Sequence, residues 1–395
     1  TPVAVSAGVP DSTTGQVPEG THLSLSGGRL RNSLIRQAGA VPTTSIETMV
    51  DAAPALGGQP LPDTDGVAVV SNAGGPGVMA IDAVARSALT PVTLADSTVE
   101  RLDAALPEHA RSQNPLDLLA DSDIEVFETA MDAVLTDDAV GAALVISAPS
   151  ALFTFEELAA ILADARRRHE APVVTALMGG TRTHDAEAVL REAGIPNYFD
   201  PFRAVDALET LWIHSESRPR RQREPSLSDG VNPDFLRNVL EDAPDQSIQI
   251  EGEDIGSVLS ALGVDEGVMS PPPGGDAATG AVEVDLLGVR HPGVGPIVGV
   301  GVSTFVRAVG DWAARGVPLS RNDAEEMVQE LRAWPILRGT RGQEPVDIDG
   351  LVDVIVGVSW LLDTIPSVTA LSLDPLLVGE SGVGASSIRV RRGRE

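Results

Sequence analysis

The residues best suited to chemistry lie between Val67 and Gly77, where Val-Ala-Val-Val-Ser runs into Asn72-Ala-Gly-Gly-Pro-Gly77. A β-branched run ending in a glycine-rich turn predicts a strand, a tight turn and a helix start. Glycine lets another group approach the backbone closely, and unbonded N–H groups at a helix start carry a positive partial charge. Such a turn can hold an anion, phosphate above all. Its spacing is not the dinucleotide-binding Gly-x-Gly-x-x-Gly. Nor is it a P-loop, which needs a Lys, and this chain contains none. A turn whose glycines serve packing alone fits the same residues, so both readings stand. His109, His169, His184, His214 and His291 sit among polar helical or turn residues without metal-ligand spacing, and read as surface side chains. The chain has no Cys, which removes disulfides, thiolate metal sites and a Cys nucleophile.

That turn is positioned by a regular alternation from Gly66 to about Ser217. Strands are predicted at Val67–Ser71, Val92–Leu94, Ala142–Ser147, Val173–Leu177 and Asn197–Phe199. Helical patterns fall at Val78–Ser87, Val99–Leu106, Val126–Leu135, Phe155–Arg168 and Ala186–Ala193, with a closing helix at Phe202–Ile213. Leu158, Ile161, Leu162 and Ala165 share one helical face. Strand and helix in alternation imply parallel strands joined by right-handed crossovers, hence a doubly wound sheet.

Upstream, a strand at Pro2–Ser6 and helices at Leu30–Ala38 and Ile46–Leu56 are predicted, the last stopped by Gly57-Gly58 and Pro60. Downstream, the polar stretch 216–235, with its Arg218–Arg223 cluster, reads as a solvated linker or an anion patch. Short helices follow at Phe235–Leu240 and Ile255–Leu262, then a rigid Pro-rich turn at 271–275. The last segment predicts strands Val282–Leu287, Pro296–Val302 and Ser367–Leu373 with helices Asp323–Arg332 and Ile348–Asp363.

Composition narrows the partners. The 395 residues, 43% of them hydrophobic, supply two or three cores. The formal net charge is −29, and all 28 basic residues are Arg. Such a surface repels nucleic acid and anionic membrane, so neither is an expected partner. It suits a salt-rich cytoplasm, where self-repulsion is screened within a few Å. A GC-rich genome also favours Arg over Lys but leaves the acidity unexplained. The start, Thr1-Pro2, has no basic apolar leader, and no apolar run approaches the ~20 residues of a membrane span. A cytoplasmic protein is the expectation.

Several short motifs, taken in order, resemble the ADP-forming acyl-CoA synthetases, the acetate–CoA ligase family related to succinyl-CoA synthetase. They are Ile35-Arg-Gln-Ala-Gly39, Gln59-Pro-Leu-Pro62, Asn72-Ala-Gly-Gly-Pro-Gly77, Asn114-Pro-Leu-Asp117, Ala176-Leu-Met-Gly-Gly180 and Gly194-Ile-Pro-Asn-Tyr198. Farther on, Pro318-Leu-Ser, Asp323-Ala-Glu-Glu-Met327, Leu337-Arg-Gly-Thr-Arg-Gly342 and Asp347-Ile-Asp349 are similar to the end of that family's ATP-grasp module. The resemblance implies an α/β chain: a flavodoxin-like, succinyl-CoA ligase-like doubly wound parallel sheet, then a reduced ATP-grasp-like α+β segment. By this reading 1–62 ends a preceding flavodoxin-like domain, 63–217 is a flavodoxin-like CoA-ligase domain, 218–235 a linker and 236–395 the ATP-grasp-like domain.

The family reaction converts acyl-CoA and phosphate to an acyl phosphate, passes the phosphoryl group to a His, and delivers it to ADP. By resemblance, His22 is the candidate phosphoacceptor, although the family's following Thr-Gly is here Leu23-Ser24. Asn72, Ala73, Gly74, Gly75 and Gly77 are the candidate phosphate-binding residues, supported by Asn114 and Asp117. The family's nucleotide apparatus is reduced. The clamping Lys is absent, the paired glycines near Val300–Phe305 are gone, and an expected acidic residue is Ala308. The Glu-x-Asp-x-Asn-Pro of the metal site corresponds to Ala370-Leu-Ser-Leu-Asp-Pro375, leaving Asp374 as the one expected oxygen ligand. No metal site is therefore expected, nor ATP–Mg²⁺ binding by this chain alone; CoA or an acyl phosphate is the expected ligand. Two readings remain open. One is a non-catalytic relative that binds CoA, an acyl phosphate or a synthetase subunit. The other is a catalytic subunit that depends on partner chains, or on self-association, to supply the CoA-binding domain and ATP-grasp core.

Overall fold

The computed structural model describes residues 3–5, 27–43, 45–220, 231–241, 247–252, 254–263, 281–339, 344–385 and 387–393. In chain order, β1 (Val3–Val5), α1 (Gly27–Gln37), β2 (Val41–Thr43) and α2 (Ile46–Gly58) come first. Next are β3 (Gly66–Ser71), α3 (Gly74–Val84), β4 (Thr90–Pro91), α4 (Asp96–Ala105) and β5 (Leu116–Asp117). They lead to α5 (Ile124–Leu135), β6 (Ala142–Ser147), α6 (Phe155–His169), β7 (Val173–Leu177), α7 (His184–Glu192) and α8 (Pro201–Arg220). After them lie α9 (Pro233–Glu241), β8 (Ser247–Ile250), α10 (Asp254–Ala261), β9 (Val282–His291), β10 (Gly295–Val302) and α11 (Ser303–Val309). The chain continues through β11 (Ala313–Gly316), α12 (Arg321–Gln329), α13 (Trp334–Leu337) and α14 (Ile348–Thr364). It closes with β12 (Val368–Gly379), β13 (Gly382–Ala385) and β14 (Ile388–Arg392).

Two compact units result: the described residues of 1–6 and 39–221 form the first, and those of 7–38 and 222–395 the second. In the first unit every residue of β3, β6 and β7 is buried. Strands apolar on both faces need helices on both, which is the condition of a parallel sheet. β3 pairs in parallel with β4 through Gly66 and Val67, with β5 through Val70 and Ser71, and on its other side with β6. β6 in turn pairs with β7, and Asn197 bridges to Thr175 at the edge. Val67, Val69, Leu144 and Ile146 pack beneath α2, α3 and α8, while Ala68, Val70, Ala143 and Val145 pack beneath α4, α5, α6 and α7. α6 shows why such helices start where they do. Thr154 accepts from the Glu157 N–H and Glu157 accepts from the Thr154 N–H, a reciprocal cap.

Several boundaries differ from the pattern-based expectation, and the strand expected at Asn197–Phe199 reduces to the single bridge from Asn197 to Thr175. α3 begins at Gly74, not Val78, because glycines in a first turn leave helix geometry open while hiding it from a hydrophobic period. β4 is the pair Thr90–Pro91; beyond it the Val92 N–H still donates to the Val67 carbonyl at 3.2 Å, but the ladder ends there, and the apolarity of Val92 and Leu94 marks burial more than a strand. α8 runs on to Arg220, well past Ile213. Upstream, β1 and β2 pair in parallel.

The second unit is an antiparallel sheet in the order β11-β10-β9-β12-β14-β8, with β13 on β12. α14 is buried nearly all round and lies on β9, β10 and β12. Contact is close enough that a Cβ on Gly288 would come within 2.6 Å of Leu362. Arg290 finishes the packing by donating to the Leu362 carbonyl at the end of α14 and to the Val368 carbonyl at the start of β12, the latter at 3.0 Å. The opposite face carries a smaller apolar cluster with α1.

Candidate functional site

The connections part between β3 and β6. α3 leaves β3 on one face toward β4, whereas α6 leaves β6 on the other face toward β7. A strand order of this flavodoxin-like kind opens a crevice at the C-terminal strand ends where the winding reverses, which is where doubly wound sheets take ligands. The Asn72–Gly77 turn lies at that point.

Ser71, buried at the strand end, closes the turn: its Oγ donates to the Ala73 carbonyl and accepts from the Ala73 N–H, both at 2.9 Å. The Asn72 side chain is buried and fully engaged. Its Nδ2 donates to the Ala148 carbonyl at 3.1 Å, and its Oδ1 accepts from the Ala148 N–H at 2.8 Å. It therefore ties the ends of β3 and β6 together and holds the crevice at fixed width. Ala73 caps α3 without a side-chain bond. The N–H groups of Gly74 and Gly75 thus head the helix, and around Gly75 a Cβ would meet nothing within 4 Å.

Asn114 fills the gap between β4 and β5 along the edge of β3. Its Oδ1 accepts from Val69 N–H (2.9 Å), while Nδ2 donates to the Val67 (2.9 Å) and Val92 (3.0 Å) carbonyls. It does the work of a strand residue. Asp117, at the end of β5, directs its carboxylate to the start of α3: a Cβ on Gly74 would lie 2.5 Å from its Oδ2. Its Oδ1 accepts from Leu119 N–H at 3.1 Å. The structure thus gathers Asn72, Ala73, Gly74, Gly75, Gly77 and Asp117 around the end of β3, whereas Asn114 lies farther back along the strand, beside Val67 and Val69. His22 lies outside the described residues.

Between the loops that follow β6 and β7 opens a cleft of about 370 Å³ lined by Ser150, Phe153, Thr154, Thr181, Arg182 and Asp185. The sequence reading missed it, although Arg182 directly follows the Gly179-Gly180-Thr181 motif after β7 and was visible there. A larger cleft of about 430 Å³ lies beyond β7, between α2 and the Gly194–Tyr198 segment, away from the strand ends. Tyr198 lines it; desolvation, and then the nearby Asp51 carboxylate, pushes its hydroxyl well above the ordinary range, so it acts as a donor, to the Asp51 carbonyl at 2.8 Å.

In the second unit, Ala370 is fully buried in the apolar cluster with Leu287, Val289 and Ile297. Ser372 is buried too, and its Oγ has no hydrogen-bond partner among the described residues. The Asp374 side chain lies outside the described residues. Among the described residues no three His, Asp or Glu side chains group to hold a metal ion. An apolar contact and a lone hydroxyl do not fit Mg²⁺, which needs several oxygen ligands. No described helix is long and apolar enough to cross a membrane.

Fold and site together define a doubly wound unit with a strand-end crevice, joined to an antiparallel α+β unit. A family model described as an ATP-grasp domain matches residues 275–391. An ADP-forming acetate–CoA ligase I of Archaeoglobus fulgidus is 27% identical over 91% of this chain and 61% of its own length. The alpha subunit of acetate–CoA ligase I from Pyrococcus furiosus is 31% identical over 50% of this chain and 43% of the subunit. The corresponding beta subunit is 36% identical over 27% of this chain and 47% of the subunit. Homologues that match most of the chain, at 23–27% identity, are ADP-forming acetate and acyl-CoA ligases, so the chain is a homologue of that family. It spans about three fifths of the length of these curated relatives.

Proposed function

We propose that the chain is a divergent member of the ADP-forming acyl-CoA synthetases, non-catalytic by itself, that binds CoA, an acyl phosphate or a synthetase subunit through the crevice of the first unit. The observation that carries this reading is Ala370, buried among Leu287, Val289 and Ile297 where the family resemblance implies a metal ligand. Selection that keeps a packed sheet but turns a ligand position into core has no nucleotide chemistry to preserve there. The Asn72–Gly77 turn, by contrast, keeps the Gly74 and Gly75 N–H groups at a helix head, Gly75 bordering open space and Gly74 lying beside the Asp117 carboxylate. The acidity of the chain fits a cytoplasm rich in salt.

Thermal unfolding tests this. CoA or acetyl phosphate should raise the melting temperature, and ATP–Mg²⁺ should leave it unchanged. Gly75→Val should abolish the anion-dependent shift while the protein stays folded, since Gly75 borders open space. A substantial shift with ATP–Mg²⁺ would overturn the proposal.

The second reading, a catalytic subunit working through a phosphohistidine at His22, draws support from relatives that are themselves separate alpha and beta subunits. Incubation with acyl-CoA, labelled phosphate and a synthetase partner should then give an acid-labile label lost in His22→Ala. No label under those conditions removes it.

A further inference from the structure

We infer that α1 is the resident occupant of the second unit's sheet face, an internal helix seated where the family resemblance implies nucleotide and metal. Side chains alternate along a strand, so Ala370 and Ser372 share one face of β12. They stand opposite Val289 and Leu287 on β9, and Val289 stands opposite Ile297 on β10. Leu30, buried, and Leu34 of α1 pack into this same cluster with Leu287, Val289, Ile297, Trp312 and Ala370. The face is therefore filled with hydrocarbon from the chain itself.

The helix is also clasped to the sheet's edge. β11 ends the strand order, and its pairing with β10 leaves one row of backbone groups facing away. Gln37 Nε2 donates to the Gly316 carbonyl at 2.8 Å, and the Gly316 N–H donates to Gln37 Oε1 at 2.6 Å. One side-chain amide thus behaves as a further strand residue. Ser33 Oγ donates to the Ala314 carbonyl at 2.6 Å, and it accepts from Arg315 at 2.8 Å. Arg315 is itself buried and paired with Glu330. Face and edge are closed by the same eleven-residue helix.

Connectivity makes this more than packing. α1 belongs to the connection between the parallel strands β1 and β2, where a crossover helix ordinarily covers its own strands. Here the helix is part of the second unit and both strands are part of the first. α1 is thus a latch spent on this face of the second unit's sheet.

Amide hydrogen exchange on the whole chain tests the latch. The Gly316 N–H should be protected, and Gln37→Ala should speed its exchange at least tenfold. Leu34→Asp should expose both Gly316 and α1, and circular dichroism checks that the fold persists. Exchange at the free-peptide rate in the unaltered protein, or no response to Gln37→Ala, overturns the inference. So does loss of Gly316 protection on adding ATP–Mg²⁺, which would make α1 a displaceable lid. The inference rests on the proposed function only in taking this face as empty of nucleotide, and the outcomes separate the two. A melting shift with ATP–Mg²⁺ and intact protection sinks the proposed function alone; free exchange with no such shift sinks the latch alone.

Discussion

Asp117 places a fixed negative charge at the head of α3, next to the N–H groups that an incoming phosphate would use. A carboxylate there steadies the helix but repels a second anion. Asp117→Asn keeps the oxygen that accepts from Leu119 and removes the charge. Acetyl phosphate should then bind about threefold to tenfold more tightly, roughly 0.6–1.4 kcal/mol, in a calorimetric titration at low salt. Unchanged or weaker binding would show that the anion does not sit at this helix head. Asn114 belongs to stability instead. Asn114→Ala leaves the Val69 N–H and the Val67 and Val92 carbonyls without that partner, which should cost about 2–4 kcal/mol in denaturant unfolding. The glycine turn could be read from its residues because its geometry is local. The duties of Asn72 and Asn114 could not, since each bonds a backbone far away in sequence, at Ala148 and along β3.

At the scale of elements, α5 and α6 are joined by Asp132, which accepts from Arg168 at 2.7 Å and lies 3.0 Å from His169 Nε2. Burial alone would raise the Asp132 carboxyl, but hydrogen bonds from Arg168 and His169 outweigh it and hold the group below its usual range. Asp137 is similar: burial raises it, and bonds from the Ala95 and Ala139 N–H groups bring it lower. A lowered folded-state value stabilises the protein above the unfolded value of about 3.9, and that contribution fades as pH falls through the folded value. The melting temperature should therefore drop as pH falls below about 3.9, and the slope should flatten in Asp132→Asn and Asp137→Asn. A slope unaltered in both would assign the acid transition to other carboxylates. The elements themselves were legible where they are long and uniformly patterned, as in β3, β6, β7 and α6. Two-residue strands such as β4 and β5 escape any period, and the antiparallel partners β8, β13 and β14 depend on pairing that no local pattern announces. The strand order that makes the crevice, and the allotment of α1 to the second unit, are likewise consequences of long-range contact.

For the whole molecule, the balance of 57 acidic residues against 28 Arg is the dominant long-range term. Its local trace is the acidic neighbourhood of α8. Asp206 reaches solvent, yet partial desolvation, and then Glu209, Asp200 and Asp51, raise its carboxyl above the usual value. A raised carboxylate disfavours the folded state once ionised, so at neutral pH this cluster works against folding. Arg203 offsets part of it by bonding Asp51 through Nε at 2.6 Å and meeting Glu47 at 3.2 Å. Salt at 1 M shortens the screening length to about 3 Å, which suppresses repulsion between exposed carboxylates while leaving contact pairs such as Arg203–Asp51 largely intact. Melting in molar KCl should therefore occur at higher temperature than in dilute buffer. Asp206→Asn should raise the melting temperature in dilute buffer, with most of that gain gone in 1 M KCl. The two measurements distinguish charge screening from a general salting-out of apolar surface, which would stabilise the variant and the unaltered chain equally. A lower melting temperature in KCl would reject adaptation to salt as the reason for the acidity.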